Sequence, residues 1–172
     1  MAAITRTIVI SVVVILVVFG AFVLMPSTPV IVQPIAYNHS LHVEGEGLEC
    51  IDCHAYVEQL PRATLPELEI CLDCHDVDPI SEEESAEEAI LIEHIESERE
   101  IAWQRVYEVP DHVYFSHRRH VVSGELECAT CHGDVGSFTE PVTEAFMEFT
   151  MDDCMDCHND NGVTNDCLTC HK

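Results

Sequence analysis

The polarity pattern divides the chain before any chemistry is considered. Residues 8–25, IVISVVVILVVFGAFVLM, are apolar and carry no charge. With Thr5 and Thr7 at its edge, a helix of this run is about long enough to cross a bilayer. Residues 26–36, PSTPVIVQPIA, hold three prolines and no charge, which predicts an extended tether. Further on, SEEESAEEAILIEHIESERE at 81–100 is acidic, with Ser81 and Glu84 spaced as a capping box. That stretch predicts a helical bridge over 80–102 whose Ile90 and Ile95, with Trp103, pack inward. The chain then divides into a cytoplasmic N-terminus (1–7), an anchor (8–25), a linker (26–36), a first unit (37–79), the bridge (80–102) and a second unit (103–172).

Arg6 is the one positive charge before the apolar run and sets its orientation, with the remainder of the chain outside the cytoplasm. A cleaved signal peptide also combines a basic residue with an apolar run. This run is long for such a peptide, and Met25, Pro26 and Pro29 occupy the positions where small residues would mark a cleavage site. The expectation is an uncleaved, single-pass anchor in the inner (cytoplasmic) membrane, with the rest on the periplasmic side.

Two segments outside the anchor repeat each other. Residues 37–54, YNHSLHVEGEGLECIDCH, and 115–132, FSHRRHVVSGELECATCH, align without a gap. They share two histidines three apart, the valine after them, Leu-Glu, and a closing Cys-x-x-Cys-His. One supersecondary unit has been used twice.

All ten cysteines fall into five copies of that closing pattern: Cys50 and Cys53, Cys71 and Cys74, Cys128 and Cys131, Cys154 and Cys157, Cys167 and Cys170. Each copy is followed at once by a histidine, namely His54, His75, His132, His158 and His171. A zinc ribbon needs paired thiolates but has no use for a histidine in that slot every time. Two thiols at this spacing bond the two vinyl groups of haem c, and the adjacent imidazole takes the iron. The sequence therefore predicts five covalently attached haem c groups, with those five histidines as proximal ligands. It also supports the periplasmic side, where free thiols would otherwise be oxidised.

Five proximal ligands use five of eleven histidines, leaving His39, His42, His94, His112, His117 and His120. Low-spin electron-transfer haems take a second strong axial ligand. The repeated His-x-x-His pairs, His39 with His42 and His117 with His120, fit that role, because side chains three apart on a helical turn reach two different porphyrins. The fifth distal ligand is left among His94, His112 and Met151, with Met147 a weaker candidate; a methionine would raise that haem's potential.

About 140 residues outside the anchor leave about 28 per haem, too few to build a conventional core. The haems themselves must fill the interior. The expected fold is a mostly irregular, partly α multihaem cytochrome c domain with a few short helices and little sheet, behind one transmembrane helix. Seven basic against 32 acidic residues give a formal charge of −25, which excludes nucleic acid as a partner. Such a surface suits a saline medium or a basic redox partner.

The run WQRVYEVPDHVYFSHRRHVVSGELECATCHG, followed by FTMDDCMDCH, resembles the pentahaem (ActA-type) cytochrome c subunit of alternative complex III, a bacterial quinol:electron-acceptor oxidoreductase. More broadly, the F-x-H-x-x-H and CxxCH arrangement resembles class III multihaem cytochromes c. The resemblance implies an electron-transfer subunit with no catalytic residue of its own. Its partners would be a quinol-oxidising membrane subunit and an iron–sulfur subunit, with a monohaem cytochrome c or a terminal oxidase as acceptor. Two other readings share the haem motifs. A NapC/NirT-type quinol dehydrogenase would oxidise quinol directly, and a multihaem nitrite or hydroxylamine reductase would need an iron with an open position.

Overall fold

The structure, a computed structural model, describes residues 6, 10, 12, 14–17, 19–20, 31–80 and 85–172. The expected anchor over 8–25 falls largely outside these, and the residues of it that are described are helical. Among the described residues no helix is long and apolar enough to cross a membrane. The chain divides into two units, Met1–Val30 and Ile31–Lys172, and the second carries every Cys-x-x-Cys-His motif.

Helices in this second unit are short, and most sit on the motifs. They are α1 (Cys50–Cys53), α2 (Leu68–Cys71), α3 (Ala86–Glu96), α4 (Ala129–His132), α5 (Met151–Asp160) and α6 (Cys167–Cys170). A helical turn puts cysteines three apart on one side with the following histidine beside them, so the motif itself calls for the turn. Several acids start these helices. Thr150 and Asp153 form a reciprocal capping box at α5, Glu49 and Asp52 another at α1, and Asp166 accepts the Leu168 N–H at 2.9 Å at α6. Part of the acidity is thus local structure, each cap contributing about 1 kcal/mol. Among the described residues the β structure is one antiparallel bridge, Val113 with His171, matching the expectation of little sheet.

The two His-x-x-His segments fold alike. Each opens as helix and widens into a π turn, Leu41–Gly45 in one and Arg119–Ser123 in the other. The closing bonds are equivalent: Glu46 N–H to the Leu41 carbonyl and Leu48 N–H to His42, against Gly124 to Arg119 and Leu126 to His120. Single π turns concentrate at functional sites. The two halves also interlock. Ser40 N–H binds the Phe138 carbonyl at 2.9 Å, and His117 N–H binds Pro61 at 2.8 Å, so each histidine turn docks on the segment just after the other half's first haem motif.

The acidic bridge carries one described helix, α3. Ser81 and Glu84 lie outside the described residues. The helix begins at Ala86 with Ser85 as its cap, whose hydroxyl accepts the Glu88 N–H at 3.0 Å. Its apolar side packs into a small cluster of Ile35, Leu68, Leu91 and Ile101, joined by Ile90, Ile95 and Trp103. Trp103 donates its indole N–H to the Pro66 carbonyl at 3.0 Å. The bridge therefore leans on the first half. The end of the expected linker is bound in as well: Ile35 is buried, and Gln33 donates to the carbonyls of Gln104 and Val142 at 3.0 and 2.9 Å. Among the described residues only Ile35, Val57, Leu68, Leu91 and Ile101 are buried apolar side chains, far too few to hold this domain by protein packing alone.

Candidate functional site: opposed histidine pairs

Four of the five histidines that follow a Cys-x-x-Cys motif have a second imidazole facing them. Ring centres of His42 and His75 are 6.4 Å apart, of His117 and His132 6.3 Å, of His120 and His158 6.1 Å, and of His112 and His171 5.5 Å. A metal held between two imidazoles by bonds of about 2 Å separates the ring centres by roughly 6 Å. The donor set fits a haem iron with both axial positions filled. His39 is the repeat equivalent of His117, and His54, the equivalent of His132, is the neighbouring imidazole whose charge acts on it after burial.

An aromatic residue holds each His-x-x-His pair. Tyr37 stacks on His42 at 4.4 Å and 26° and meets His39 edge-on at 4.8 Å and 86°. Phe115 does the same, on His120 at 4.7 Å and 25° and on His117 at 4.8 Å and 87°. The stacked histidine of each pair turns Nδ1 to the backbone carbonyl four residues back, His42 to Asn38 at 2.9 Å and His120 to Ser116 at 2.8 Å. An Nδ1–H given to a carbonyl leaves Nε2 as a lone-pair donor and fixes the ring's direction. Sequence reasoning missed Tyr37 and Phe115. Their signal was available, since both stand two residues before the first histidine of a repeat.

Burial, then the neighbouring His54 and His42, lowers His39 to about 4. Burial also lowers His117 and His132, in both cases with neighbouring histidines acting in the same direction. These imidazoles are neutral at ordinary pH, the form a metal requires. Burial raises the thiols of Cys53, Cys71, Cys128, Cys131 and Cys154. Among the described residues no group of three or more His, Cys, Asp or Glu side chains is gathered to hold a bare metal ion. Cys50 and Cys128, equivalent in the repeat, are side by side, so the first motifs of the two halves meet.

The geometry resolves the fifth distal position differently for its three candidates. His112 faces His171 with its ring plane only 13° off parallel. Backbone bonds Tyr114 N–H to Cys170 (2.7 Å) and Lys172 N–H to His112 (3.1 Å) pin the two strands together. His94 instead has Nδ1 on the Arg99 carbonyl at 2.8 Å, closing the end of α3. Met151 is 61% exposed at the start of α5.

Comparison with known proteins bears on the haem motifs. Residues 113–172 match the family described as cytochrome c7 and related cytochrome c. Over 163 residues the chain is 34% identical to the multihaem cytochrome c subunit of menaquinone reductase from Nitratidesulfovibrio vulgaris strain Hildenborough, covering 81% of this chain and 77% of that protein. With histidine pairs at haem-ligating separations and this similarity through most of both chains, the protein belongs to the multihaem c-type cytochromes, which carry their haems covalently.

Proposed function

We propose that the chain binds five haem c groups, each fixed by two cysteine thioethers and closed by two histidines, and serves as the electron-relay subunit of a membrane quinone oxidoreductase. The carrying observation is the set of opposed imidazoles, His75 with His42, His132 with His117, His158 with His120 and His171 with His112; His54 with His39 completes the set by equivalence with His132 and His117 in the repeat. Haem c supplies a one-electron centre whose axial ligands set its potential. Histidines on both sides keep water and small ligands off the iron and hold its geometry as the charge changes. The pair His39 and His42, and again the pair His117 and His120, would hold two haems from one helical turn, one on each histidine, which would bring neighbouring porphyrins close enough for electron transfer.

Residues 8–25 act as a single-pass anchor in the cytoplasmic membrane with the haem domain on its periplasmic side. Support comes from the uncharged apolar run and from the chemistry of the thiols, which persist only where they are attached to haem or kept reduced. The relative's role as a subunit of a menaquinone reductase favours partners that include a quinone-reactive membrane subunit. It also favours electrons passing through the haems towards quinone. The resemblance to alternative complex III favours the same kind of partners with electrons flowing the other way, from a quinol-oxidising and iron–sulfur assembly to a monohaem cytochrome c or terminal oxidase.

Purification from native membranes with mass spectrometry of co-migrating subunits tests the assembly. The expected result is a quinone-reactive membrane protein that co-purifies, and a complex that exchanges electrons between cytochrome c and a menaquinone analogue while the isolated chain does not react with the quinone. An isolated chain that oxidises a menaquinol analogue would instead make it a NapC/NirT-type dehydrogenase.

A further inference from the structure

Glu88, in the first turn of α3, has a placement that iron ligation does not explain. Its side chain is 12% exposed, whereas that of Glu93 on the same helix is 71% exposed. Oε1 accepts the Ile80 backbone N–H at 2.9 Å and lies 3.8 Å from Nδ1 of His75. The Glu88 N–H goes to the Ser85 hydroxyl at 3.0 Å. Backbone and carboxylate are therefore both held, and the positive end of an eleven-residue helix favours an acid at this position.

The other histidines are backed differently. Nδ1 of His54 faces the Thr64 carbonyl at 3.1 Å, and Nδ1 of His158 faces Thr164 at 3.2 Å; both partners are neutral. Among the described residues, His75 is the one histidine with a carboxylate at ion-pairing distance. Across from it, His42 has its outer nitrogen on the Asn38 carbonyl at 2.9 Å. In the neighbouring pair, Nδ1 of His39 is buried with no hydrogen-bond partner among the described residues. A negative or accepting group on the outer nitrogen makes the inner nitrogen a stronger donor, and negative charge near the iron favours its ferric form.

The geometry points to Glu88 as a positioning residue that lowers the reduction potential of the haem held by His42 and His75 below that of its neighbour held by His39 and His54. The inference rests on the bis-histidine ligation proposed above. Because His39 and His42 share one turn, the step in potential falls between the two haems of the first half. An electron there is held preferentially on the His39 and His54 side, next to the contact of Cys50 with Cys128.

The test is Glu88→Gln in the haem-loaded full chain, with haem counted as the pyridine haemochrome, spin state read by low-temperature EPR, and the haems titrated potentiometrically under EPR. The expected result is five low-spin haems with one component moved to higher potential and four unmoved. Glu93→Gln, which removes an exposed charge from the same helix, should move none. Five low-spin haems with an unchanged titration overturn the inference and leave the ligation standing, as does an equal shift from Glu93→Gln. A high-spin haem in the wild-type protein would instead remove the ligation reading and this inference with it. Glu88→Asp withdraws the carboxylate by one methylene and should move the same component less far in the same direction. If the glutamine variant does not load its haems, an unmoved titration in the aspartate variant overturns the inference.

Discussion

Replacing His112 by alanine separates the proposed ligand set from its alternatives. The His112 ring stands 5.5 Å from His171 and nearly parallel to it. Its backbone is tied to the last haem motif by the Val113 bridge and by the Tyr114 and Lys172 amides. Alanine keeps those ties, so the change should open one axial position and leave the attachment of that haem intact. One ligand pair in five then loses its distal member, and about one fifth of the haem should become high-spin and bind carbon monoxide. The assay is a carbon monoxide difference spectrum titrated to saturation and normalised to total haem. The expected end point is one carbon monoxide per chain for His112→Ala and none for wild type, His94→Ala or Met151→Ala. A His112→Ala protein that binds no carbon monoxide, or a His94 or Met151 variant that does, would refute the assignment.

Other substitutions probe the scaffold. A Cβ at Gly133, where φ is +67°, would meet the Phe146 ring at 2.6 Å, so Gly133→Ala should cost roughly 1–3 kcal/mol and lower the melting temperature read by Soret circular dichroism. Glu125 has φ +52° at the position where the first repeat has Gly47 at +76°; Glu125→Gly should raise stability by about 1 kcal/mol, and a lowered melting temperature would contradict that. Leu91 belongs to the small buried cluster under α3, so Leu91→Ala should cost about 2–5 kcal/mol, seen as earlier loss of the Soret signal with the same haem content.

The motifs were legible because thioether attachment fixes residue type and spacing together, and nothing else demands a histidine after every second cysteine. The repeat singled out His39, His42, His117 and His120 as candidates for the distal role. For the fifth place the sequence left His94, His112 and Met151 together, because His112 lies outside any repeat and meets His171 through pairing of chain segments far apart in sequence. Ser85 offers the same hydroxyl three residues before a glutamate as Ser81 does, so the local pattern alone did not single out the residue that caps α3. Ile35 was read as tether because an apolar residue among prolines carries no sign of the cluster it joins. The pairing of each histidine turn with the opposite half, through Ser40 with Phe138 and His117 with Pro61, depends on three-dimensional closure that no local pattern encodes.

The most direct test of the account is the intact mass of the mature chain read together with the EPR spectrum of its fully oxidised form. Five haem additions with only low-spin, bis-histidine signals are predicted. Fewer additions, or a high-spin signal in the untreated protein, would contradict the closed histidine pairs on which the relay depends.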